Sequence, residues 1–427
     1  MDLPLGDGTV SVSFDAVDAT VARAPGADAV DVPAATQNAL ADPHGPRLRD
    51  RASADDDVAT VVTDGTRAVP TDVLLDGLLA ELDATGVARD QVTVVVGLGL
   101  HRPMTDAELD EMLGEHADLA TNHDPENVVA VGEVDGVPIE LNRTVADADL
   151  VAATGVVEPH QYAGFSGGAK TVVVGAGSDS QIGYTHGPDL LGRDGVRLGR
   201  VDGNPFREFL DSAGDLAGPD FCVNVTKGPQ GVLGVAAGDP RAVVRDLAAT
   251  ARDALSVPIP DDESYDAVVA GVGAPKDANL YQASRAATYV ALGDRNPLAD
   301  PRTDAADDEN DRGSDAGRGR IVVPAELPEG AGDGTGEQRF FDWLSNATDA
   351  DALYREMRAG YEPGAQRAFV VARVLRDHAV HVTNSQHPDV VDDCLMHAAD
   401  SVEDALESES DVLVVPDALN TLLVRDR

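Results

Sequence analysis

Short hydrophobic runs and polar loops alternate along this chain, and stretches with helical spacing separate many of the runs. Apolar runs of this length are typical of strands that are buried on both faces of a sheet. The repeated order of strand, polar loop and helix predicts an α/β fold with parallel strands. The predicted strands are residues 58–63, 92–96, 128–131, 138–141, 150–153, 221–225, 232–236, 267–271, 321–323, 380–382 and 412–415, with an edge strand at 10–14.

Helical spacing predicts the remaining regular elements. A further apolar run, Thr171 to Val174, predicts a short buried strand or a loop rather than a helix. The predicted helices are residues 71–85, 206–212, 279–292, 340–344, 365–376 and 390–406, with an interrupted helical stretch at 33–50.

A proline-rich, acidic stretch at residues 257–262 has the composition of a domain linker. It predicts two α/β domains, residues 1–257 and 262–427, with parallel or mixed sheets and an active-site cleft between them. Residues 293–320 are polar and acidic, with few large apolar side chains, and are expected to form a mobile surface insertion.

The composition is strongly acidic, with 76 Asp and Glu residues against 32 Lys and Arg residues and a formal net charge of −44. Such a charge occurs in disordered chains, but 43% hydrophobic residues in strand and helix patterns favour a folded protein. We interpret the charge as adaptation to high salt, because at about 1 M salt the screening length falls to about 3 Å and repulsion between surface carboxylates costs little.

Charge and cysteine content also narrow the function. No basic stripe appears, which argues against nucleic acids and anionic membranes as partners. Cys222 and Cys394 lie far apart without a C-x-x-C pattern, so neither a disulfide framework nor a zinc site is indicated. The sequence shows no leader-like start and no membrane-spanning apolar run, and we expect a soluble cytoplasmic protein.

The most distinctive stretch runs from Glu158 to Leu190 and contains His160, Lys170 and His186 among several glycines. Glycines in this density favour sharp turns or close contact between backbone N–H groups and a ligand. The chain has only three lysines, and we therefore expect Lys170 to do chemistry that arginine cannot, such as covalent amine chemistry. A lysine paired with a nearby acid is the plainer interpretation.

Polar residues follow three predicted strands within a few positions: Arg67, His101 and His160. In parallel sheets ligands bind at the carboxyl ends of the strands. Each of these residues alone is better explained as a solvated loop residue, but three of them beside a glycine-rich loop with a rare lysine favour a site.

The segment Gly164–Thr171, GFSGGAKT, nearly matches a phosphate-binding loop, but Ala169 replaces its last glycine. The predicted strand after Lys170 also lacks the helix that such a loop requires. A nucleotide-phosphate-binding transferase is therefore an alternative function rather than the leading one.

Five segments together resemble the nickel-pincer nucleotide-dependent lactate racemase family. They are DGTR (Asp64–Arg67), LHRPMT (Leu100–Thr105), EPHQYAGFSGGAK (Glu158–Lys170), THGP (Thr185–Pro188) and APKDANLYQASRA (Ala274–Ala286). The resemblance extends over essentially the whole chain. It implies a pyridinium-derived mononucleotide, with a thioamide and a thiocarboxylate, that holds nickel through carbon and sulfur.

The resemblance also implies roles for individual residues. Lys170 would form the thioamide tether, with Gly167 and Gly168 beside the cofactor, and His186 would be the protein ligand to nickel, for which an imidazole is a suitable donor. His101 and His160 would be the two acid–base groups. The expected substrate-binding residues are Asp64, Arg67, Tyr281, Gln282, Arg285 and Trp343.

The implied reaction is inversion at C2 of a small 2-hydroxy acid, with lactate as the first choice. Hydride loss to the pyridinium, with removal of the hydroxyl proton, would give a planar 2-keto acid. Accessory proteins that synthesise the cofactor are the implied partners. Arg285 stands where many members have lysine, which leaves the substrate open because a planar fork and a point charge bind carboxylates differently. A non-catalytic nickel or cofactor carrier is a further alternative, but it would not need both His101 and His160.

Overall fold

A computed structural model describes residues 1–299 and 318–426 of this chain. Its strands are β1 (Asp2–Leu5), β2 (Gly8–Ser11), β3 (Asp18–Val21), β4 (Val58–Thr63), β5 (Val92–Gly97), β6 (Ala120–Asn122), β7 (Val128–Val134), β8 (Val137–Asn142), β9 (Leu150–Val156), β10 (Pro159–His160), β11 (Gly164–Phe165), β12 (Phe221–Gly228), β13 (Gly231–Gly238), β14 (Ser256–Ile259), β15 (Ala267–Ala270), β16 (Arg320–Pro324), β17 (Ala379–Thr383), β18 (His397–Ala399), β19 (Asp411–Val415) and β20 (Leu422–Arg425).

The α-helices of the described residues vary from one to four turns. They are α1 (Val32–Ala41), α2 (Thr71–Asp83), α3 (Asp106–Leu113), α4 (Arg143–Asp147), α5 (Lys170–Val173), α6 (Asp179–Thr185), α7 (Pro188–Leu191), α8 (Pro205–Ala217), α9 (Pro240–Leu255), α10 (Leu280–Ala283), α11 (Arg285–Ala291), α12 (Thr335–Ser345), α13 (Ala350–Arg358), α14 (Gln366–Asp377), α15 (Pro388–Asp393) and α16 (Val402–Ala405).

One compact unit, called the lysine unit here, consists of Gly26–Thr185 and Arg193–Ala254. Its main sheet has the strand order β13-β12-β9-β4-β5-β6. The strands from β12 to β6 are parallel, and β13 pairs with β12 in the antiparallel direction. Strands β4 and β5 are buried along most of their length, which explains their continuous apolar sequences.

The other compact unit, called the tyrosine unit here, consists of Met1–Pro25, His186–Gly192 and Leu255–Arg427. Its main sheet has the order β18-β17-β16-β15-β19-β3, and every neighbouring pair is parallel. The N-terminal strand β3 is the edge strand beside β19, so the first 25 residues are grouped with the C-terminal sheet. The units therefore differ from the predicted domains in two places. Residues 1–25 and 186–192, which the prediction assigns to the N-terminal domain, group with the C-terminal residues.

The predicted α/β class with parallel and mixed sheets is confirmed. Two of the predicted strands have another role, because β7 and β8 form a separate antiparallel pair. The edge strand predicted at 10–14 is observed as β2, which pairs with β1 and ends at Ser11. Most of the predicted insertion, residues 300–317, lies outside the described residues.

Two predictions of secondary structure are wrong. The run after Lys170 is the one-turn helix α5, whose Val172 and Val173 are fully buried, so its apolar sequence reflects helix burial. Residues 390–406 form no continuous helix. They contain the end of α15, then β18, which pairs with β17, and then α16, which the Ser401 side chain caps.

Among residues 1–299 and 318–426, no helix is both long enough and apolar enough to cross a membrane.

Candidate active site

Strands β9, β4 and β5 are neighbours in the sheet of the lysine unit, and all three end at the same edge. The loop after β4 carries Asp64 and Arg67, the loop after β5 carries His101, and the segment after β9 carries His160. The structure therefore places Arg67, His101 and His160, which the sequence predicts to follow strands, at one edge of one sheet.

His101 forms a hydrogen bond with Asp64, with His101 Nδ1 at 2.6 Å from Asp64 Oδ2. Burial raises the pKa of Asp64, but hydrogen bonds from His101 and Thr66 outweigh this effect and hold the pKa below its ordinary value. An ionised carboxylate only accepts hydrogen bonds, so Nδ1 of His101 carries a proton. In neutral His101 the other nitrogen, Nε2, then has the lone pair that a general base needs.

His160 has the opposite arrangement. Its Nδ1 accepts hydrogen bonds from the backbone N–H groups of Ala163, at 3.1 Å, and Tyr162, at 3.3 Å. The proton of the neutral ring is therefore on Nε2. The ring also packs edge-on against the Tyr162 ring, with 5.6 Å between the ring centroids.

Arg67 pairs with Glu158, with 2.6 Å between Arg67 Nη1 and Glu158 Oε1. Lys227 holds the backbone of the same loop, because its ammonium donates to the carbonyl oxygens of Arg67, at 2.7 Å, and Ala68, at 3.3 Å. Ala68 has a left-handed backbone with φ of 47°. Sequence reasoning assigned no role to Glu158 or Lys227, although the scarcity of lysine was a usable signal for Lys227.

Lys170 begins α5 and is half-buried. Its pKa is lowered to about 7, mainly by burial and then by the positive charges of Arg67 and Arg207. The carboxylates of Glu158 and Asp64 act in the opposite direction but do not restore the ordinary value. A substantial fraction of Lys170 is therefore a neutral amine at neutral pH, as a nucleophilic lysine requires.

Gly167 and Gly168 precede Lys170 with φ of +78° and +60°. A Cβ at Gly167 would lie 2.6 Å from the Val157 side chain, and one at Gly168 would lie 2.7 Å from the Val244 side chain. Packing thus requires both glycines whether or not a ligand is present, and their contact with a cofactor stays a prediction. The N–H of Gly168 donates to Asn224 Oδ1 at 2.9 Å, so this donor of the near-matched phosphate-binding loop is already used.

The tyrosine unit carries the other predicted site residues. Tyr281 on α10 packs edge-on against Phe340 of α12, with 5.7 Å between centroids, and the Arg367 guanidinium lies 4.5 Å from the Tyr281 ring centre. The backbone N–H of Gln282 donates to Asn279 Oδ1, which caps α10.

Three further predicted residues of this unit have contacts of their own. Arg285 on α11 donates to the Tyr289 hydroxyl at 3.3 Å. The indole N–H of Trp343 donates to Glu362 at 3.1 Å. The carbonyl oxygen of His186 accepts a hydrogen bond of 2.6 Å from the Tyr361 hydroxyl, which fixes the backbone at the predicted nickel ligand.

A second possible metal-binding group, formed by Asp76, Glu115 and His116, lies elsewhere in the lysine unit, with its ligand atoms within 4.8 Å of one another. His116 already pairs with Asp76 at 2.7 Å, and the guanidinium of Arg89 lies 3.3 Å from the other ring nitrogen. The nearby positive charge of Arg89 and the existing pair between His116 and Asp76 make this group a poor candidate for a metal centre.

Comparison with known proteins identifies the family that this chain resembles. The family described as lactate racemase N-terminal domain matches residues 5–199, and the lactate racemase C-terminal domain matches residues 319–423. The lactate racemase of Lactiplantibacillus plantarum is 28% identical over 400 residues, which cover 88% of this chain and 87% of that protein. The lactate racemase of Thermoanaerobacterium thermosaccharolyticum is 27% identical over 415 residues, covering 92% and 90%.

Solved structures show the same fold. The lactate racemase apoprotein from Thermoanaerobacterium thermosaccharolyticum superimposes with a TM-score of 0.83 at 24% identity, covering 100% of this chain and 99% of that one. A crystal structure of a Thermotoga maritima protein gives a TM-score of 0.58 at 18% identity, covering 92% and 97%.

Proposed function

Because the chain belongs to the lactate racemase family, we propose that it is a racemase that inverts C2 of a small 2-hydroxy acid, with lactate as the first substrate to test. The observation that carries the proposal is the group of side chains at one sheet edge of the lysine unit. His101, His160 and Arg67 lie on the segments that follow three adjacent parallel strands, and Lys170, whose pKa is lowered by burial and by the charge of Arg67, begins α5 farther along the segment that follows β9.

The two histidines supply the proton chemistry of the proposal. His101, held by Asp64, presents an Nε2 lone pair that accepts the hydroxyl proton of the substrate. His160, held through Nδ1 by two backbone N–H groups, presents an Nε2–H that donates to a substrate oxygen. To give up or to take a proton at Nε2, His160 has to carry a proton on Nδ1, so in both directions it exchanges these two backbone contacts for another arrangement.

Arg67 is the proposed receptor for the substrate carboxylate. Its guanidinium has five N–H donors in a planar fork, so it can retain Glu158 at one nitrogen and bind a carboxylate at others. Held in this way, the carboxylate stays fixed while the substituents at C2 change place.

The residues present fit the nickel-pincer nucleotide of the family. Lys170 offers the neutral amine that an amide-type tether needs, and an imidazole such as that of His186 is a suitable donor for nickel. When bound, this cofactor supplies a hydride acceptor for C2. The proposal assigns the tether to Lys170 and the nickel ligand to His186.

The proposal is tested with the His101→Ala and His160→Ala variants, produced together with cofactor-synthesis proteins or in the native host. Racemisation of D-lactate and of L-lactate is followed separately, and nickel is measured in each sample. Removing one acid–base group typically costs on the order of 10²–10⁴-fold in rate, so each variant should lose about that much in both directions. Nickel content should stay at the wild-type level, since neither histidine is assigned to metal binding.

His44→Ala is the matched control, because His44 also pairs with a carboxylate, Asp246 at 2.9 Å, but is exposed and outside the sheet edge. It should keep wild-type activity. Full activity in either test variant would refute the two-base assignment. A wild-type protein that carries the cofactor but acts on neither enantiomer would refute lactate as the substrate and redirect the search to other 2-hydroxy acids.

A further inference from the structure

Arg207 on α8 is a buried cation directly behind the glycine-rich loop. Only 2% of the residue is exposed. Its guanidinium donates to three consecutive carbonyl oxygens of that loop, those of Phe165, Ser166 and Gly167, the last two at 3.4 and 3.3 Å. The three carbonyls, which belong to residues three to five positions before Lys170, thus converge on one side chain.

A buried guanidinium is costly unless its charge is compensated. The carboxylate that pairs with Arg207 is Asp211, one turn along the same helix, at 3.7 Å, which is a long distance for an ion pair. Among the described residues, the buried Nε of Arg207 has no hydrogen-bond partner. An apolar side chain at this position would leave the carbonyl oxygens of Phe165, Ser166 and Gly167 without this donor, so the buried guanidinium is needed for the conformation of the loop.

The remaining backbone of the loop is held from the other side. Asn224 on β12 is fully buried, and its Oδ1 accepts the N–H of Gly168. Gly167 and Gly168 have no room for a side chain, as shown above. Between Arg207 and Asn224, the four residues from Phe165 to Gly168 therefore have little freedom to move.

We propose that Arg207 is a positioning residue for Lys170, which fixes the loop by its three carbonyl contacts and places a second positive charge beside the Lys170 amine. This inference rests on the proposed function only in giving Lys170 the role of the attachment site. The consequence is an amine on a fixed backbone, with a large unprotonated fraction before any cofactor arrives.

The charged groups that act on Lys170 are consistent with this role. Burial makes the largest contribution and lowers the pKa of Lys170. Arg67 and Arg207 lower it further, and Glu158 and Asp64 raise it. An ordinary lysine with a pKa near 10.5 is about 0.03% neutral at pH 7, whereas one with a pKa near 7 is about half neutral. The gain in reactive amine is on the order of 10³-fold.

Two substitutions separate the charge of Arg207 from its hydrogen bonds. Arg207→Gln removes the charge but keeps an N–H donor for the carbonyls, and Arg207→Lys keeps the charge with a single donor group. Arg245→Gln is the control, because it removes an exposed arginine that forms an ion pair with the exposed Asp202 at 3.3 Å. The measurement is the rate at which acetic anhydride acetylates Lys170 in the cofactor-free protein between pH 6 and 10, quantified by peptide mass spectrometry.

In the wild type, the acetylation rate should rise with a midpoint near pH 7. Arg207→Gln should move the midpoint upward and slow labelling at pH 7 by roughly threefold to tenfold, because the nearby positive charge is gone. Arg207→Lys and Arg245→Gln should keep the wild-type midpoint. Circular dichroism of each variant shows whether the fold is retained, and a folded Arg207→Gln protein with the wild-type profile would overturn the proposal.

If Arg207→Gln does not fold, Asp211→Asn provides the second test. It leaves Arg207 in place and removes the paired negative charge, so the midpoint of Lys170 should move downward or stay low. An upward shift would contradict the role given to the Arg207 charge. All of these results are independent of racemisation, so failure of this inference and failure of the proposed function are distinguishable.

Discussion

At the scale of single residues, carboxylates hold two of the basic groups in the candidate site. Asp64 fixes the proton on one nitrogen of His101, and Glu158 holds the guanidinium of Arg67. The sequence predicts the positions of His101 and Arg67 because both follow strands. It does not predict the role of Glu158, because a glutamate in a glycine-rich stretch looks the same whether it binds an arginine or faces solvent.

Lys170 and His186 are predicted to act on different parts of the cofactor, and two variants separate them. Lys170→Arg keeps a positive charge but cannot form the tether, so it should carry no organic adduct and show no racemisation. His186→Ala should keep the adduct on Lys170 but lose most of its nickel, because in the proposed assignment the cofactor would supply the other donors. Intact-protein mass spectrometry and elemental analysis of the same samples measure the two effects.

Wild-type racemisation in Lys170→Arg would contradict the attachment role of Lys170. Full nickel occupancy in His186→Ala would contradict the ligand role of His186. Loss of folding is excluded as the cause if the thermal unfolding midpoint of each variant stays within a few degrees of the wild type.

At the scale of elements, strand β12 supports the site from behind with three side chains. Asn224 accepts a hydrogen bond from the N–H of Gly168, and Thr226 donates one of 2.7 Å to the carbonyl of Val157. Lys227 donates to the carbonyls of Arg67 and Ala68. The register of β12 against β13 shifts between Thr226 and Lys227. Strand β12 therefore contacts the glycine-rich loop, the end of β9 and the loop that carries Arg67, called the arginine loop below.

Lys227→Met is predicted to weaken substrate binding through Arg67. The change removes a charged donor from two carbonyl oxygens, and hydrogen bonds to charged groups are worth about 1.5–3 kcal/mol. The KM for lactate should rise about tenfold or more, while kcat changes less, because the acid–base groups stay in place. Steady-state kinetics of the cofactor-loaded enzyme measure both constants.

Lys227→Arg should restore part of the binding, since an arginine can also donate to carbonyl oxygens. Arg245→Met is the control for loss of a surface cation and should leave KM unchanged. A wild-type KM in Lys227→Met would show that the arginine loop keeps its position without this contact.

Most strands of the two main sheets were predicted from the sequence, the exceptions being β3, β6 and β18, and the failures have physical causes. Val58–Thr63 and Val92–Gly97 are buried on both faces, so their apolar runs are continuous and recognisable. The run after Lys170 is equally apolar, but it is a single helical turn, and four residues are too few to show helical spacing. Residues 390–406 have helical composition throughout, yet pairing of β18 with β17 interrupts them, and pairing between distant strands leaves no local signal.

At the scale of the whole molecule, the acidic composition dominates the electrostatics. The formal charge of −44 is offset only locally, and several of the ion pairs among the described residues are exposed on both sides, such as Arg102 with Glu108 and Arg245 with Asp202. Exposed pairs contribute about 0–1 kcal/mol each and are weakened further by salt. The unpaired carboxylates repel one another in the compact state, and this repulsion opposes folding at low ionic strength.

We therefore predict that salt stabilises the protein, in contrast to proteins whose surface charges are balanced. Raising KCl from about 0.1 M to about 1 M shortens the screening length from about 10 Å to about 3 Å, which removes most of the repulsion. The thermal unfolding midpoint of the cofactor-free protein should rise by roughly 5 °C or more over this range. Differential scanning calorimetry at fixed pH measures it, and sucrose at matched water activity is the control for effects that do not involve charge.

Most of the increase should occur below about 1 M KCl, because screening is nearly complete there. A midpoint that rises equally in sucrose would assign the effect to exclusion of the solute from the protein surface. A midpoint that stays constant or falls with KCl would contradict the interpretation of the charge as an adaptation to salt. The surface carboxylates would then have to be compensated within the fold, by more ion pairs of the kind that joins Arg47 and Arg49 to the buried Glu81.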